Sequence, residues 1–381
     1  MEKTVLMISP NDFPNGDAGA VRDLAFAKIY SQLGYKPVVV CCNKKTEYGV
    51  YEGIEYYSYF LNAKTNLDKL FRYFKQKNMF LKKLNNIEKK FGTPGLIHLY
   101  GVSNNIIAYM KKYAHINNLQ ILHDSVEWYS PCEFKYGKYD KAYIINNRLN
   151  TKVIKSPIKV IAISSYLKTY FESKGIISER IPVILEVDSQ AVNNKKDDIV
   201  KLIYAGNPAN KDYLKEIIEG VLGLSEAEKE RVRLNIYGIT EKQLYDLKIG
   251  YNFEKNIIPH GRVPRTEVES ALKDSDFSLL LRPGNERYTK AGFPTKTVEA
   301  MSNGVAMMCN LTSDLGLYLK DGENSIIVEQ CTKEAMTKAI RRAISLSSQE
   351  IDILKRNAKK TASDYFDYRM WISTVQRLIE R

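Results

Sequence analysis

The sequence predicts an α/β protein built from two doubly wound, Rossmann-like domains. Apolar, strand-like runs alternate with helical patterns along the chain, which is typical of parallel α/β architecture. The series of strands starts twice, at VLMIS (5–9) and at KLIYAG (201–206), and each start leads into a glycine-containing loop and a helix. A length of 381 residues is enough for two such domains.

The strand-like runs divide into two series. The predicted strands are 5–9, 37–42, 96–100, 120–124 and 160–164 in the first series, and 201–206, 233–238, 257–261, 277–281 and 305–310 in the second. The polar run at 193–198 marks a linker between them. We therefore predict domains over 1–188 and 199–363, followed by a C-terminal helix over 364–381 whose apolar residues recur at helical spacing.

Composition and charge restrict the class of protein. The net charge is +13, and residues 1–198 hold 29 Lys and Arg against 19 Asp and Glu, so the excess lies mainly in the first half. Acidic phospholipid, a phosphorylated acceptor or nucleic acid would suit that excess. The five cysteines are an odd number without CxxC spacing, which predicts a reducing cytoplasm and neither a zinc site nor a disulfide framework. We find no apolar run long enough to span a membrane and no signal peptide, and therefore expect a cytoplasmic protein.

The stretch 277–328 has the pattern of an anion site. A turn at 292–294 opens a predicted helix near Thr295, where free backbone N–H groups and the helix dipole favour a diphosphate. Lys296 adds a cation in the first turn. Glu299 follows one turn later, where its carboxylate can accept both hydroxyls of a ribose.

The same stretch resembles the donor-binding half of glycosyltransferase family 4, whose members have the GT-B fold. The resemblance rests on the order and spacing of Gly292-Phe293-Pro294, Glu299-Ala300-Met301, Asn303-Gly304-Val305 and Asp321-Gly322, the last of which precedes a predicted strand at Ile326. It extends more weakly across most of the chain. It implies two Rossmann-like domains that face each other across a cleft, with the C-terminal helix crossing back to the first domain. Residues 1–188 would bind the acceptor and 199–363 the nucleotide sugar.

The resemblance also implies an activity. The protein would transfer a hexose-type sugar with retention of configuration from a nucleotide diphosphate sugar, with a UDP-sugar favoured. The acceptor would be a saccharide or a lipid-linked molecule in surface polysaccharide assembly. No metal and no further cofactor are expected, because cations and a helix N-terminus can neutralise the leaving diphosphate.

Two positions depart from the family pattern. Family members often carry a first glutamate seven residues before the second, and here that place is Ala291, so Asn285 and Glu286 are candidates for the contact with the donor sugar. A divergent subset of the family has a similar GFPTK turn. The family's arginine after the first strand of the second domain is replaced by Asn207, whereas its lysine is matched by Lys211. Arg282 is a candidate replacement for the missing arginine.

The resemblance assigns the remaining roles residue by residue. We predict His123, Glu299 and Lys211 as catalytic residues, and Arg22, Asp124 and Glu127 on the acceptor side. The predicted donor-binding residues are Gly19, Gly206, Asn207, Lys211, Gly238, Arg262, Arg282, Gly292, Phe293, Pro294, Thr295, Lys296 and Glu299. Arg262 belongs to a loop, 260–263, that lies where the family's base-binding loop falls.

Residues 66–91 form a basic amphipathic pattern with aromatic residues in its apolar stripe. Such a helix suits a peripheral contact with the anionic inner face of the cell membrane. It equally suits a surface helix that packs its stripe on the first domain and leaves its lysines in water.

Three other functions compete with glycosyl transfer. A sugar-nucleotide 2-epimerase shares the two-domain shape but needs acid and base carboxylates, of which only Glu299 is placed by motif. A catalytically degenerate sugar-nucleotide-binding or scaffold subunit would explain Ala291 and Asn207. Nucleic-acid binding is not expected, because the basic residues belong to no recognised nucleic-acid-binding motif.

Overall fold

The computed structural model describes residues 3–14, 18–60, 66–190, 192–194, 198–206, 211–246 and 255–381, with the side chains of 66–74 and 241 left undescribed. Asn207 therefore lies outside the described residues. The chain divides into two compact units. The first consists of Met1–Glu186 with Asp367–Arg381, and the second of Val187–Phe366.

The first unit is built on a mostly parallel sheet. In its described part, the sheet has eight strands in the order β3-β4-β2-β1-β5-β6-β7-β8, and only β3 is antiparallel to its neighbour. The strands are β1 Thr4–Ile8, β2 Lys36–Cys41, β3 Tyr48–Tyr51, β4 Ile54–Ser58, β5 Leu96–Tyr100, β6 Gln120–Ser125, β7 Lys159–Ala162 and β8 Ser178–Arg180. Because β1 is buried along its whole length, its apolar run forms the centre of this core.

The helices of the first unit begin where the sequence offers caps. They are α1 Ala18–Gln32, α2 Asn66–Phe91, α3 Asn104–Ile116, α4 Lys141–Arg148 and α5 Ser165–Glu172. The side chains of Ser103 and Ser164 accept bonds from first-turn N–H groups of α3 and α5, so these serines fix where the two helices start.

The second unit contains a parallel sheet of six strands, in the order β11-β10-β9-β12-β13-β14 among the described residues. The strands are β9 Val200–Ala205, β10 Val232–Tyr237, β11 Ile257–Gly261, β12 Phe277–Leu280, β13 Ala306–Cys309 and β14 Ser325–Ile327. The chain order runs outward from β9 in one direction and from β12 in the other. Ligands of such sheets bind beyond the carboxyl ends of the strands at this reversal point.

The helices of the second unit are α6 Leu214–Leu222, α7 Glu226–Lys229, α8 Glu241–Asp246, α9 Arg265–Lys273, α10 Arg287–Ala291, α11 Thr295–Ser302, α12 Lys333–Ser345 and α13 Ser348–Tyr365. Helix α11 begins at Thr295, which confirms the helix start predicted from the turn at 292–294.

The end of the chain belongs to the first unit. After a short 3₁₀ turn at Tyr368–Trp371, helix α14 (Ile372–Glu380) places Val375 and Leu378 in the same core as Phe26 of α1. The Lys159 ammonium of β7 donates to the carbonyl oxygens of Leu378, at 2.9 Å, and Ile379, at 3.3 Å. A cation at the carboxyl end of a helix stabilises it, so this contact holds the last helix on the first sheet.

In the described parts of the chain, no helix is both long and apolar enough to cross a bilayer.

Candidate functional site

Two glycines shape the backbone at the reversal point of the second sheet. Gly206 follows β9 with φ +132°, and Gly238 follows β10 with φ +87°. A Cβ atom on Gly238 would lie 2.9 Å from the carbonyl carbon of Gly206. The two turns therefore pack backbone against backbone, which only glycine allows.

A charged cluster lies beside Gly206, centred on the buried carboxylate of Asp212. Arg282 Nε donates to Asp212 Oδ1 at 2.7 Å, and Lys296 Nζ donates to Oδ2 at 2.5 Å. The Tyr204 hydroxyl donates to the same Oδ2 at 2.6 Å, and Lys296 Nζ lies 4.2 Å from the centre of the Tyr204 ring. A Cβ atom on Gly206 would approach Lys296 Cε to 2.5 Å, so the glycine gives the lysine its space.

The charges of this cluster do not balance. Burial alone would raise the pKa of Asp212, but the charges of Lys296 and Arg282 outweigh burial and hold that pKa below its usual value. Burial lowers the pKa of Lys296, and Asp212 offsets only part of the effect. The Asp212 side chain is 1% exposed, whereas those of Arg282 and Lys296 are 18% and 20% exposed. One carboxylate thus holds two cations that still reach solvent, which favours binding of an anion.

Helix α11 begins next to these cations. Its N-cap is Pro294, and no side chain caps its first turn. The first N–H groups of the helix can therefore bind an external acceptor. The preceding turn is fixed by Phe293, which is buried against the rings of Tyr318 and Phe366. Gly292 ends α10 directly before that turn.

Glu299 lies one turn further along α11 and is 31% exposed. Its Oε1 is 3.5 Å from Arg265 Nη2, and the same arginine holds Glu269 at 2.9 Å. Burial raises the pKa of Glu299, although the charge of Arg265 opposes the shift. The carboxylate is a hydrogen-bond acceptor near the start of the helix, as its proposed contact with a ribose requires.

The loops after β10 and β11 present a flat aromatic pair. The rings of Tyr237 and His260 stack with centroids 4.2 Å apart and planes 2° apart. His260 Nε2 is 2.9 Å from Asn235 Oδ1, which fixes the imidazole. Gly238 N donates to Gly261 O at 2.7 Å, joining the two loops. Arg262 follows as an exposed residue.

Lys211 directly precedes Asp212 in the chain, and its ammonium lies beside an aromatic ring. It is half-buried, and its Nζ is 5.7 Å from the centre of the Tyr288 ring. Of the sequence-predicted residues, the structure therefore brings Gly206, Arg282 and Lys296 together. Sequence reasoning missed Asp212 and Tyr204, which organise the two cations. The only signal was an aspartate in the loop after a strand, a position typical of many structural aspartates.

In the first unit, Arg22 and Asp124 are bonded to each other. Arg22 Nε and Nη2 donate to the two Asp124 oxygens at 2.6 and 2.9 Å. Arg22 also donates to the carbonyls of Pro182, at 2.5 Å, and Ile181, at 3.1 Å. Both side chains are buried, with exposures of 4% and 0%. A contact with an acceptor would require this pair to open, and that role stays a prediction.

The other predicted residues of the first unit differ in exposure. His123 is buried, burial lowers its pKa to about 4, and its Nδ1 has no hydrogen-bond partner among the described residues. The imidazole is therefore neutral near pH 7. Gly19 packs closely against Asn11, because a Cβ atom on Gly19 would lie 2.5 Å from Asn11 Oδ1. Glu127 is exposed, and its carbonyl accepts a bond from Asn150.

Among the described residues, no three His, Cys, Asp or Glu side chains come close enough together to hold a metal ion.

The sequence of the second unit matches a family model. Residues 187–361 match the model described as glycosyl transferases group 1. Among curated proteins, no sequence matches the chain significantly.

Solved structures match the chain over nearly its full length. Sucrose-phosphate synthase from Thermosynechococcus elongatus has a TM-score of 0.71 at 13% identity, covering 99% of this chain and 98% of that one. HepE from Anabaena, solved with UDP and glucose, has a TM-score of 0.67 at 13% identity, with 99% of each chain covered. WaaG, a glycosyltransferase involved in lipopolysaccharide biosynthesis, has a TM-score of 0.68 at 13% identity, covering 98% and 99%.

The fold is the GT-B glycosyltransferase fold. The predicted fold class, with two Rossmann-like sheets, is thereby confirmed. The family match of the second unit and the GT-B neighbours together support a glycosyltransferase.

Proposed function

We propose that this GT-B protein transfers a hexose-type sugar from a nucleotide diphosphate sugar, in the first place a UDP-sugar, to a saccharide or lipid-linked acceptor. The observation that carries the proposal is the Asp212 cluster, with two partly exposed cations at the reversal point of the second sheet. It adjoins the uncapped first turn of α11. A diphosphate suits both features, because cations and free N–H groups stabilise its charge together.

The catalytic part of the proposal concerns the leaving group. As the bond between sugar and phosphate breaks, negative charge builds on the diphosphate, and Arg282 and Lys296 would neutralise it. Fixed donors are most effective when they need not reorganise during the reaction, and Asp212 holds both cations in advance. Such electrostatic catalysis needs no metal, and retention of configuration would leave proton removal from the acceptor to the departing diphosphate itself.

The nucleoside part would bind along the same edge of the sheet. Glu299 would accept the ribose hydroxyls, and the stacked pair of Tyr237 and His260 would border the base. HepE, a structural neighbour, was solved with UDP and with UDP-glucose, which favours uracil as the first base to test. The neutral imidazole of His123 would hydrogen-bond a sugar hydroxyl rather than act as an acid.

The acceptor would lie at an anionic membrane in the cytoplasm. The first half of the chain carries most of the positive charge, as an acceptor with a lipid diphosphate requires. The basic helix over 66–91 contributes part of this charge. The epimerase and the degenerate binding subunit remain the alternatives. The lack of a carboxylate at Ala291 and of an arginine at Asn207 favours the degenerate subunit.

Calorimetric titration of wild type, Glu299→Ala and Glu269→Ala with UDP, GDP and ADP tests the proposal. Loss of two hydrogen bonds to a charged group, worth roughly 1.5–3 kcal/mol each, should weaken binding of the preferred nucleotide in Glu299→Ala by at least about tenfold. Glu269→Ala is the matched control, because Glu269 shares Arg265 but lies on α9.

Two outcomes would overturn the proposal. If the wild-type protein binds no nucleotide and mass spectrometry detects no turnover of nucleotide sugars, the degenerate subunit becomes the better account. If the protein inverts C2 of a free nucleotide sugar without any acceptor, it is an epimerase.

A further inference from the structure

The segment that joins β6 to β7 carries an unusual surface. It contains two 3₁₀ turns, Pro131–Glu133 and Gly137–Tyr139, then α4 and a π-helical turn at Leu149–Val153. It follows the carboxyl end of β6, the edge at which parallel sheets bind ligands. None of its residues was assigned a role in the donor site.

The base of this segment is fixed by partly buried contacts. Trp128 Nε1 donates to Asn147 Oδ1 at 3.0 Å, and Tyr129 N donates to Asn146 Oδ1 at 3.0 Å. The Trp128 ring packs against Tyr170 with centroids 4.4 Å apart. These contacts tie α4 to the chain that leaves β6. They fix the backbone that carries the side chains on the outer face of the segment.

The outer face combines exposed aromatic rings with lysines. Tyr136 and Tyr139 are 66% and 75% exposed. Lys135 Nζ lies 5.7 Å from the centre of the Tyr136 ring, and Lys138 Nζ lies 5.2 Å from that of Tyr139. With the exposed Lys141 at the start of α4, these four residues form what we call the basic tyrosine surface.

The charge around this surface is strongly positive. Residues 131–155 contain six Lys and Arg residues and two acidic ones. Both acids serve the backbone: Glu133 accepts from Ser130 N at 2.7 Å, and Asp140 accepts from Ala142 N at 2.9 Å. None of the salt bridges between described residues neutralises one of the six cations. The surface thus presents cations to solvent without compensating carboxylates.

Helix α2, the other basic element, differs in the exposure of its apolar residues and in the pairing of its lysines. Phe80, Leu84 and Ile87 of its apolar stripe are at most 2% exposed, so this part of the stripe packs on the protein. Lys83 and Lys90 pair with Glu47, at 2.9 Å, and Glu55, at 2.5 Å. In its described part, α2 therefore offers a membrane lysines without exposed aromatic rings, whereas the basic tyrosine surface offers both.

We propose that the basic tyrosine surface docks the protein on an anionic lipid membrane. Tyrosine rings are enriched at the level of lipid headgroups, where one end is apolar and the other polar. Each lysine near an anionic surface strengthens binding electrostatically. Since the surface belongs to the segment that leaves the carboxyl end of β6, docking would bring a lipid-linked acceptor towards that end of the first sheet. Only this last step rests on the proposed function.

Vesicle flotation with the full-length chain tests the proposal, using phosphatidylcholine alone and an equal mixture with phosphatidylglycerol. Lys135→Gln/Lys138→Gln/Lys141→Gln should lower binding to the anionic vesicles by at least about tenfold. Tyr136→Ser/Tyr139→Ser should lower it severalfold. The matched control is Lys75→Gln/Lys82→Gln/Lys89→Gln, which removes the same charge from exposed positions of α2 and should leave most of the binding intact.

Three results would overturn the proposal: wild type that ignores anionic vesicles, loss of binding only in the α2 variant, or unchanged vesicle binding with weaker binding of a water-soluble oligosaccharide acceptor. The last would make the surface a saccharide site. Calorimetric titration with UDP is run on every variant and should be unchanged. Failure of the donor site would appear in that titration, and failure of the docking surface only in flotation.

Discussion

The two units each bury a carboxylate that holds an arginine, yet the two clusters have opposite character. In the first unit, Arg22 is 4% exposed and its donors are used by Asp124 and by the carbonyls of Pro182 and Ile181. In the second unit, the Asp212 side chain is also buried, at 1% exposure. It holds both Arg282 and Lys296, whose side chains are 18% and 20% exposed.

This difference separates a structural ion pair from a binding site. In a buried pair with balanced charge, the donors and acceptors already bond to each other or to the backbone, so none is available to a ligand. Removing one partner leaves the other charge buried and unpaired. A cluster with one cation in excess and with access to solvent gains by binding an anion. The balance of charge and the remaining exposure therefore distinguish the two clusters, although each contains an arginine paired with a buried aspartate.

The largest effect is expected from breaking the balanced pair. Arg22→Met should lower the free energy of unfolding by about 3–5 kcal/mol, because Asp124 would stay buried without its cation. Urea denaturation followed by circular dichroism measures the change. A variant of normal stability whose affinity for the acceptor falls would contradict the structural role and would support the acceptor-binding role predicted from the sequence.

A smaller effect is expected at the glycine that gives Lys296 its space. Gly206→Ala adds a Cβ 2.5 Å from Lys296 Cε, at a φ of +132°, and should displace the ammonium from Asp212. Backbone strain of this kind costs on the order of 1–3 kcal/mol, and UDP binding should weaken by about tenfold.

The matched control for that glycine is Gly284→Ala, where a Cβ meets nothing within 4 Å. Both variants are compared by calorimetry with UDP. Equal affinities in the two variants would show that the position of Lys296 does not matter for the donor.

Much of the fold could be predicted from the alternation of strands and helices. The short strands β3, β4 and β8 were missed. Strands β3 and β4 are joined by Glu52 and Gly53, both with positive φ, which form a tight turn. A search for continuous apolar runs does not detect such a hairpin. Strand β8 spans only Ser178–Arg180, too short for a hydrophobic pattern.

The candidate site was predicted in its local parts only. The turn at 292–294 and the start of α11 follow from neighbouring residues, so sequence reasoning could place them. The pairing of Asp212 with residues 70 and 84 positions away depends on how β9, β12 and α11 come together. The bond between Arg22 and Asp124 spans 102 positions and was equally hidden, which is why both residues were assigned to the acceptor.

The most direct test of the central claim compares the affinities of UDP and uridine for wild type, Lys296→Met and the control Lys290→Met, an exposed lysine of α10. If the Asp212 cluster binds the diphosphate, wild type and Lys290→Met prefer UDP strongly. Lys296→Met should then lose roughly 1.5–3 kcal/mol of that preference while binding uridine as before. An unchanged preference in Lys296→Met, or a wild-type protein that binds uridine as tightly as UDP, would contradict the claim.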